Sequence, residues 1–229
     1  MKRNKKIGLG LIGVLCVCAL LFVAGMGLSE RPTGDQSAEK ETEKEVKFPY
    51  ELEGGKVEVL SLFQSSVSNP DGDNSYVENL ASLELANYSE EHLQEATIEL
   101  TMDDGEKLTF VLEEIPAGKT VWAFETNNKC YKTEQKIREI ECEATFTEKT
   151  VLLEEELNIE AEETLVSVKN ISKEILKDLK LEFHCLFDGV YYGGKTCTYQ
   201  IDAIKADEEV SLDVWECYLG IADVVKIEK

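Results

Sequence analysis

The chain has 229 residues and a formal charge of −22, with 46 Asp and Glu residues against 24 Lys and Arg. A surface this acidic repels phosphate groups and anionic lipid headgroups, which excludes nucleic acid as an expected partner. The sequence contains two histidines and no Gly-x-Ser-x-Gly, phosphate-loop or His-Glu-x-x-His motif, so we do not expect an enzyme.

Residues 1–28 have the pattern of a basic cytoplasmic flank followed by a transmembrane signal-anchor. Four Lys and Arg residues precede an uncharged apolar run, 7–28, that would span roughly 33 Å as a helix. The basic flank predicts a cytoplasmic N-terminus and places the rest of the chain outside the cell. The length of the run favours an uncleaved anchor, while small residues near Gly27 leave a cleaved signal peptide open.

Residues 29–47 are predicted to be a disordered acidic tether. This segment is rich in Glu, Lys and Thr and has almost no apolar side chains, so it cannot bury enough surface to fold alone. About 180 residues remain beyond it, which is enough for two small domains.

An 18-residue block occurs twice, because residues 83–100 align without a gap with residues 166–183. In each copy alternating apolar residues reach an Asn-x-Ser motif, at Asn87 and Asn170, cross a polar loop and alternate again. This pattern predicts a strand, a turn and a second strand. Both motifs are also formal glycosylation acceptors, but Asn and Ser in equivalent places favour a shared turn.

The offset of 83 residues between the copies is too long for a solenoid repeat and indicates two whole domains. We therefore expect an all-β fold with two tandem immunoglobulin-like β-sandwich domains, at 48–148 and 149–229. Residues 134–141 also fit a short helix, which is a weaker alternative. The predicted strands, some of which overlap the repeated block, are 57–63, 76–85, 108–112, 121–124, 137–146, 156–159, 164–168, 179–187, 199–204, 210–212 and 224–227.

The order of these motifs resembles the FxLYD-type domain. Each half runs from a strand through Asn-x-Ser to a second strand and an Asp-Gly turn, and Leu186-Phe187-Asp188 stands where that family has Leu-Tyr-Asp. His184 occupies the family's Phe position. The family is a small β-sandwich of exported and membrane-anchored bacterial proteins, so the resemblance implies this fold and location. It provides no catalytic residues.

Five cysteines lie beyond the anchor, in a compartment expected to be oxidising. The spacing predicts two disulfides, Cys130–Cys142 and Cys185–Cys197, the second closed by a turn centred on Tyr191. Cys217 is then left over. Reduced, buried thiols are the alternative, since free Cys is often part of the core.

Asp71, Asp73 and Glu78 are the best candidates for a metal site, because they offer several oxygen ligands near one loop. Their spacing does not fit an EF-hand, and a solvated turn is the preferred interpretation of this loop. We therefore expect no cofactor, with calcium as the alternative. His92 and His184 have no sequence signature of acid–base chemistry.

A longer hairpin distinguishes the second domain and carries Tyr191 and Tyr192, which we consider candidates for a binding loop. Loop tyrosines also simply cover strand edges, and this is the preferred interpretation. The sequence predicts a non-catalytic, membrane-anchored extracellular protein with a binding or envelope-structural role and a protein or glycan partner at the cell surface. The alternative is a cleaved, secreted sensor or accessory subunit that acts through a protein partner.

Overall fold

A computed structural model describes residues 46–148, 150–218 and 220–229. Because apolar and polar residues alternate along much of the chain, these residues form mainly strands and turns. These residues contain no α-helix, and residues 134–141 do not form one, because β7 begins at Ile137. Within these ranges there are two 3-10 turns, Glu53–Gly55 and Trp215–Cys217. The strands are β1 (Tyr50–Leu52), β2 (Val57–Ser68), β3 (Tyr76–Asn87), β4 (His92–Met102), β5 (Lys107–Ile115), β6 (Thr120–Phe124), β7 (Ile137–Thr147), β8 (Leu157–Glu162), β9 (Leu165–Asn170), β10 (Leu176–Phe187), β11 (Val190–Tyr192), β12 (Cys197–Ile204), β13 (Glu209–Asp213) and β14 (Ile221–Glu228).

The two halves of the chain, 48–148 and 149–229, form sheets with the same strand order. In the first half β2-β3-β6 form one sheet and β5-β4-β7 form another. In the second half the equivalent sets are β8-β9-β13 and β12-β10-β14. The predicted all-β class is confirmed, and the sheets have a sandwich-like arrangement.

The alternation predicts one apolar core for each half, and two cores form, although Tyr191 and Val225 of the second half are part of the first. The first core includes Leu83, Ile98 and Phe110, all fully buried. The second is centred on residues such as Val168 and Leu181. The predicted boundary at residue 148 falls in the connection between β7 and β8.

A short strand joins the two halves. β11 pairs antiparallel with the end of β10 and parallel with β6 of the first half, where Tyr192 lies opposite Trp122. This pairing makes the sheets of the two halves continuous, in the order β1-β2-β3-β6-β11-β10-β12. The junction is therefore a hydrogen-bonded sheet and is not limited to the connecting segment.

Both Asn-x-Ser motifs form the same turn. The Asn87 side chain donates to the carbonyls of Glu91 and Ile115, and its Oδ1 accepts from the backbone N–H of Ser89. The equivalent bonds in the second half run from Asn170 to Glu174 and Ile204, and from Ser172 to Asn170. The predicted turn is confirmed, and in each case the amide ties two strands together in the interior.

The predicted anchor, 1–28, and nearly all of the predicted tether, 29–47, lie outside the described residues. Within the part of the chain that the structure describes, no helix has the length and apolar character needed to cross a membrane.

Candidate functional site

Asp71 connects the two halves of the chain at the junction through hydrogen bonds. Its turn, between β2 and β3, reaches the loop after β11, and its carboxylate accepts from the backbone N–H groups of Phe124 (2.7 Å), Gly194 (2.8 Å) and Lys195 (3.0 Å). The side chain is completely buried. Burial raises the pKa of Asp71 to about 6, although these donors and the Lys195 ammonium act in the opposite direction.

The other two metal candidates do not converge on Asp71. Asp73 is exposed, and hydrogen bonds from Ser75 and Asn128 lower its pKa to about 2. Glu78 is also exposed, on β3. Among the described residues, no group of three His, Cys, Asp or Glu side chains is placed to hold a metal ion. The Asp71 oxygens face N–H donors, so they serve as hydrogen-bond acceptors for the junction.

The predicted disulfides are wrong. Cys185 bonds to Cys217, and Cys130, Cys142 and Cys197 are free thiols. The reason is register, because Cys197 lies opposite Phe183 on β10, two residues from the predicted position. The 3-10 turn before β14 instead brings Cys217 to Cys185, with their Cα atoms 4.9 Å apart. Burial raises the pKa of the Cys197 thiol to about 11, which keeps it protonated at neutral pH.

Tyr191 does not project from a loop. Its ring is fully buried and stacks on His184, with ring centroids 4.6 Å apart, and its hydroxyl donates to Asp223 at 2.7 Å. Burial, together with this bond, raises the Tyr191 pKa above its usual range. Burial also lowers the pKa of His184 to about 4, so that ring is neutral and bonded to the Glu113 carbonyl. Tyr191 therefore fastens the junction and is not available to a ligand.

A second polar cluster lies at the same junction. His92 contacts Glu114 at 2.6 Å, and Lys226 of the second half contacts Glu114 at 2.9 Å. Burial lowers the pKa of His92 despite its bond to Glu114. Glu114 is the shared partner of His92 and Lys226 at the contact between the two halves. The cluster therefore stabilises the junction.

Tyr192, the second tyrosine of the predicted loop, lines an open groove on the outer face of the joined sheet. The groove has a volume of about 380 Å³. Its lining comes from both halves of the chain and consists of Ser61, Phe63, Ser65, Val67, Glu84, Trp122, Phe124 and Tyr192.

The sheet register explains the arrangement of the groove. Glu84 lies directly opposite Ser61 on one side and Trp122 on the other, and Trp122 lies opposite Tyr192. Opposed side chains on one face of a sheet are about 5 Å apart at Cβ, so these four form a row across the groove. Phe63 stands in the next row and packs edge-on against Trp122, with ring centroids 6.5 Å apart.

Sequence reasoning missed Phe63 and Glu84 as site residues. Strict alternation from Val57 and Val59 places Phe63 on the inner face, but β2 has a register shift between Val59 and Ser61. A bulge inserts one residue and reverses the faces that follow, so Leu62 packs inward and Phe63 lies outward. A register shift of this kind has no clear sequence signal here.

The groove combines aromatic rings with one carboxylate. Trp122, Phe63 and Tyr192 are half-buried, and the half-buried Glu84 carboxylate accepts from the Ser61 hydroxyl at 3.2 Å. Among the described residues that line it, there is no Lys, Arg or His. No protein-family model matches the chain, and no curated protein matches it closely enough to indicate a relationship. Function is therefore inferred from the groove and the junction themselves.

Proposed function

We propose that this chain is a non-catalytic, membrane-anchored extracellular binding protein whose ligand site is the aromatic groove. The observation that carries the proposal is the composition of the groove, because Trp122 comes from the first half and Tyr192 from the second. The site is complete only when the halves are joined at β6 and β11. A solvent-facing groove with several aromatic rings is typical of an interaction surface.

The two halves act as tandem immunoglobulin-like sandwiches that form one rigid support for the groove. Their matching sheet orders and the resemblance to FxLYD-type domains support this assignment. Two hydrogen bonds between the halves favour a fixed geometry: the Gly194 N–H donates to the buried Asp71 carboxylate, and the Lys226 ammonium donates to Glu114. A rigid support lowers the entropy lost when a ligand binds.

Binding is tested by capture of envelope proteins with the full-length chain in a nonionic detergent. We expect Trp122→Ala to lose a partner that the wild type captures reproducibly. Trp215→Ala is the matched control, since Trp215 is 68% exposed and lies outside the groove lining. Identical captures by wild type and Trp122→Ala would contradict the proposed site.

The location outside the cell is tested with Cys130, which is an exposed free thiol. A membrane-impermeant maleimide is expected to label Cys130 in intact cells, and Cys130→Ser is expected to remove the signal. Labelling only after lysis would exclude an extracellular position. Mass spectrometry of the mature N-terminus separates the anchored form from the cleaved one, because a start near residue 28 would establish cleavage.

A further inference from the structure

We infer that the groove binds a lysine or arginine side chain of a basic peptide segment from a partner protein, with the cation held between the Trp122 ring and the Glu84 carboxylate. This inference rests on the proposed binding function and adds the chemical class of the ligand. It is carried by the arrangement of the groove residues and by the way this protein already holds its own lysines.

Two other places on the protein show a ring and a carboxylate holding a lysine. Lys56 lies over the ring of Phe146, 4.5 Å from its centroid, and bonds to Glu91. Lys119 lies 5.6 Å from the centroid of Tyr191, and its ammonium is 3.7 Å from Asp223. In each case a π face and an anion share one cation.

The groove presents the same pair of groups to solvent. Glu84 and Trp122 are directly opposed on neighbouring strands, so a cation over the Trp122 face lies within reach of the Glu84 carboxylate. The lining has no lysine or arginine of its own among the described residues. The ring and the carboxylate are in place, and none of the described lining residues supplies the cation.

The negative charge of the protein and of its groove favours a cationic ligand over an anionic or a neutral one. A protein with a net charge of −22 and a carboxylate in the groove repels phosphates, acidic glycans and anionic lipids. A neutral ligand would displace water from Glu84 without supplying a charge in return, which is costly for an ionised group. A cationic side chain compensates the carboxylate, and its aliphatic stem can pack on Phe63 and Tyr192.

The experiment uses the full-length chain in a nonionic detergent at physiological ionic strength. The probe is a short fluorescein-labelled peptide of alternating Lys and Ala, compared with the same peptide after acetylation of every lysine. Acetylation removes the charge and keeps the chain length. Folding of each variant is verified by its denaturation midpoint.

We expect the lysine peptide to bind and the acetylated peptide to bind at least about tenfold more weakly. Glu84→Gln, which retains an acceptor for Ser61, and Trp122→Ala are each expected to weaken binding about tenfold. Glu143→Gln removes the same charge from an exposed position on β7, and its affinity should stay within about twofold of the wild type.

Three results would overturn the inference. Equal losses in Glu84→Gln and Glu143→Gln would mean that the peptide is attracted only by the general negative charge. A neutral gluco-oligosaccharide serves as a further probe. If it or the acetylated peptide binds as tightly as the lysine peptide, and Trp122→Ala abolishes that binding, the groove is a binding site without specificity for cations. Failure of every probe to bind, with a dimer in sedimentation that Trp122→Ala abolishes, would show that a second copy covers the groove.

Discussion

The carboxylate of Asp71 and the backbone N–H of Gly194 are 123 residues apart in the chain and 2.8 Å apart in the fold. Gly194 has no side chain at a point where a Cβ would collide with the carbonyl oxygen of Val111. The close approach of this loop to β5 therefore depends on the glycine, and the same loop supplies two of the three backbone donors to Asp71, Gly194 and Lys195. One buried side chain fastens the turn between β2 and β3 to the loop that follows β11.

Replacement of Asp71 tests this contact. Asp71→Ala leaves the N–H groups of Phe124, Gly194 and Lys195 without their acceptor, so we expect a loss of about 3 kcal/mol in the free energy of unfolding at about pH 4. Urea denaturation measures the change. Asp202→Ala, at an exposed position on β12, is the control and should cost less than about 1 kcal/mol. A small loss in Asp71→Ala would show that the contact contributes little.

Because the pKa of Asp71 is raised in the fold, its contribution to the free energy of unfolding should fall as the pH rises. Because the pKa is about 6 in the fold and 3.8 otherwise, the folded state favours the protonated form. The contribution of Asp71 is fully present below about pH 4 and is lost as the pH rises through about 6. We expect the difference in unfolding free energy between wild type and Asp71→Ala to shrink across this window. A difference that grows with pH would indicate a lowered pKa instead.

The disulfide should protect Cys185 and Cys217 from alkylation. Without reductant, Cys130, Cys142 and Cys197 should react after denaturation, and a peptide containing Cys185 linked to Cys217 should appear in mass spectrometry. Since the bond closes a separation of 32 residues, Cys217→Ser is expected to cost roughly 3–4 kcal/mol in unfolding free energy. Cys130→Ser is the matched control and should have little effect. A Cys185–Cys197 peptide would contradict the structure.

Lys226 supplies the positive charge for Glu114 at the junction. Burial disfavours the charged ammonium, but the bonds to Glu114 and Glu228 outweigh this and raise the Lys226 pKa. Lys226→Met leaves the buried Glu114 carboxylate without this partner, so we expect a loss of about 3 kcal/mol in unfolding free energy.

The control for this variant is Lys229→Met, whose partner Glu156 is on the surface and whose loss should be below about 1 kcal/mol. Lys226 also lowers the pKa of His92, so Lys226→Met should raise the His92 pKa in an NMR titration. An unchanged His92 pKa would show that Lys226 and His92 do not share Glu114 in solution.

Sequence reasoning predicted the strands well because the signal is local. Alternation along Leu108, Phe110 and Leu112 marks the inner face of β5, and all three side chains are buried. The Asn-x-Ser turns were also predictable, since Asn87 and Asn170 bond mainly to nearby backbone groups in equivalent ways. The period of two and the chemistry of short turns do not require knowledge of distant residues.

The cysteine pairing and the role of Tyr191 were not predictable from the same signals. The face occupied by Cys197 was correct, but a shift of two residues in register retains the face and changes the partner. Tyr191 looked like a loop residue because nothing local shows that β11 pairs with β6. Both outcomes depend on how strands from distant parts of the chain are placed side by side.

The acidic charge, the repeated strand–turn–strand block and the all-β class could all be derived from the sequence alone, because composition and alternation act residue by residue. Tertiary structure decided the continuous sheet across the two halves, the Cys185–Cys217 bond and the groove that joins Glu84 to Trp122. The bulge in β2 and the parallel pairing of β11 determine which side chains meet there. Both features are stabilised by packing and hydrogen bonds between segments that are far apart in the chain. Local sequence patterns do not encode these long-range interactions.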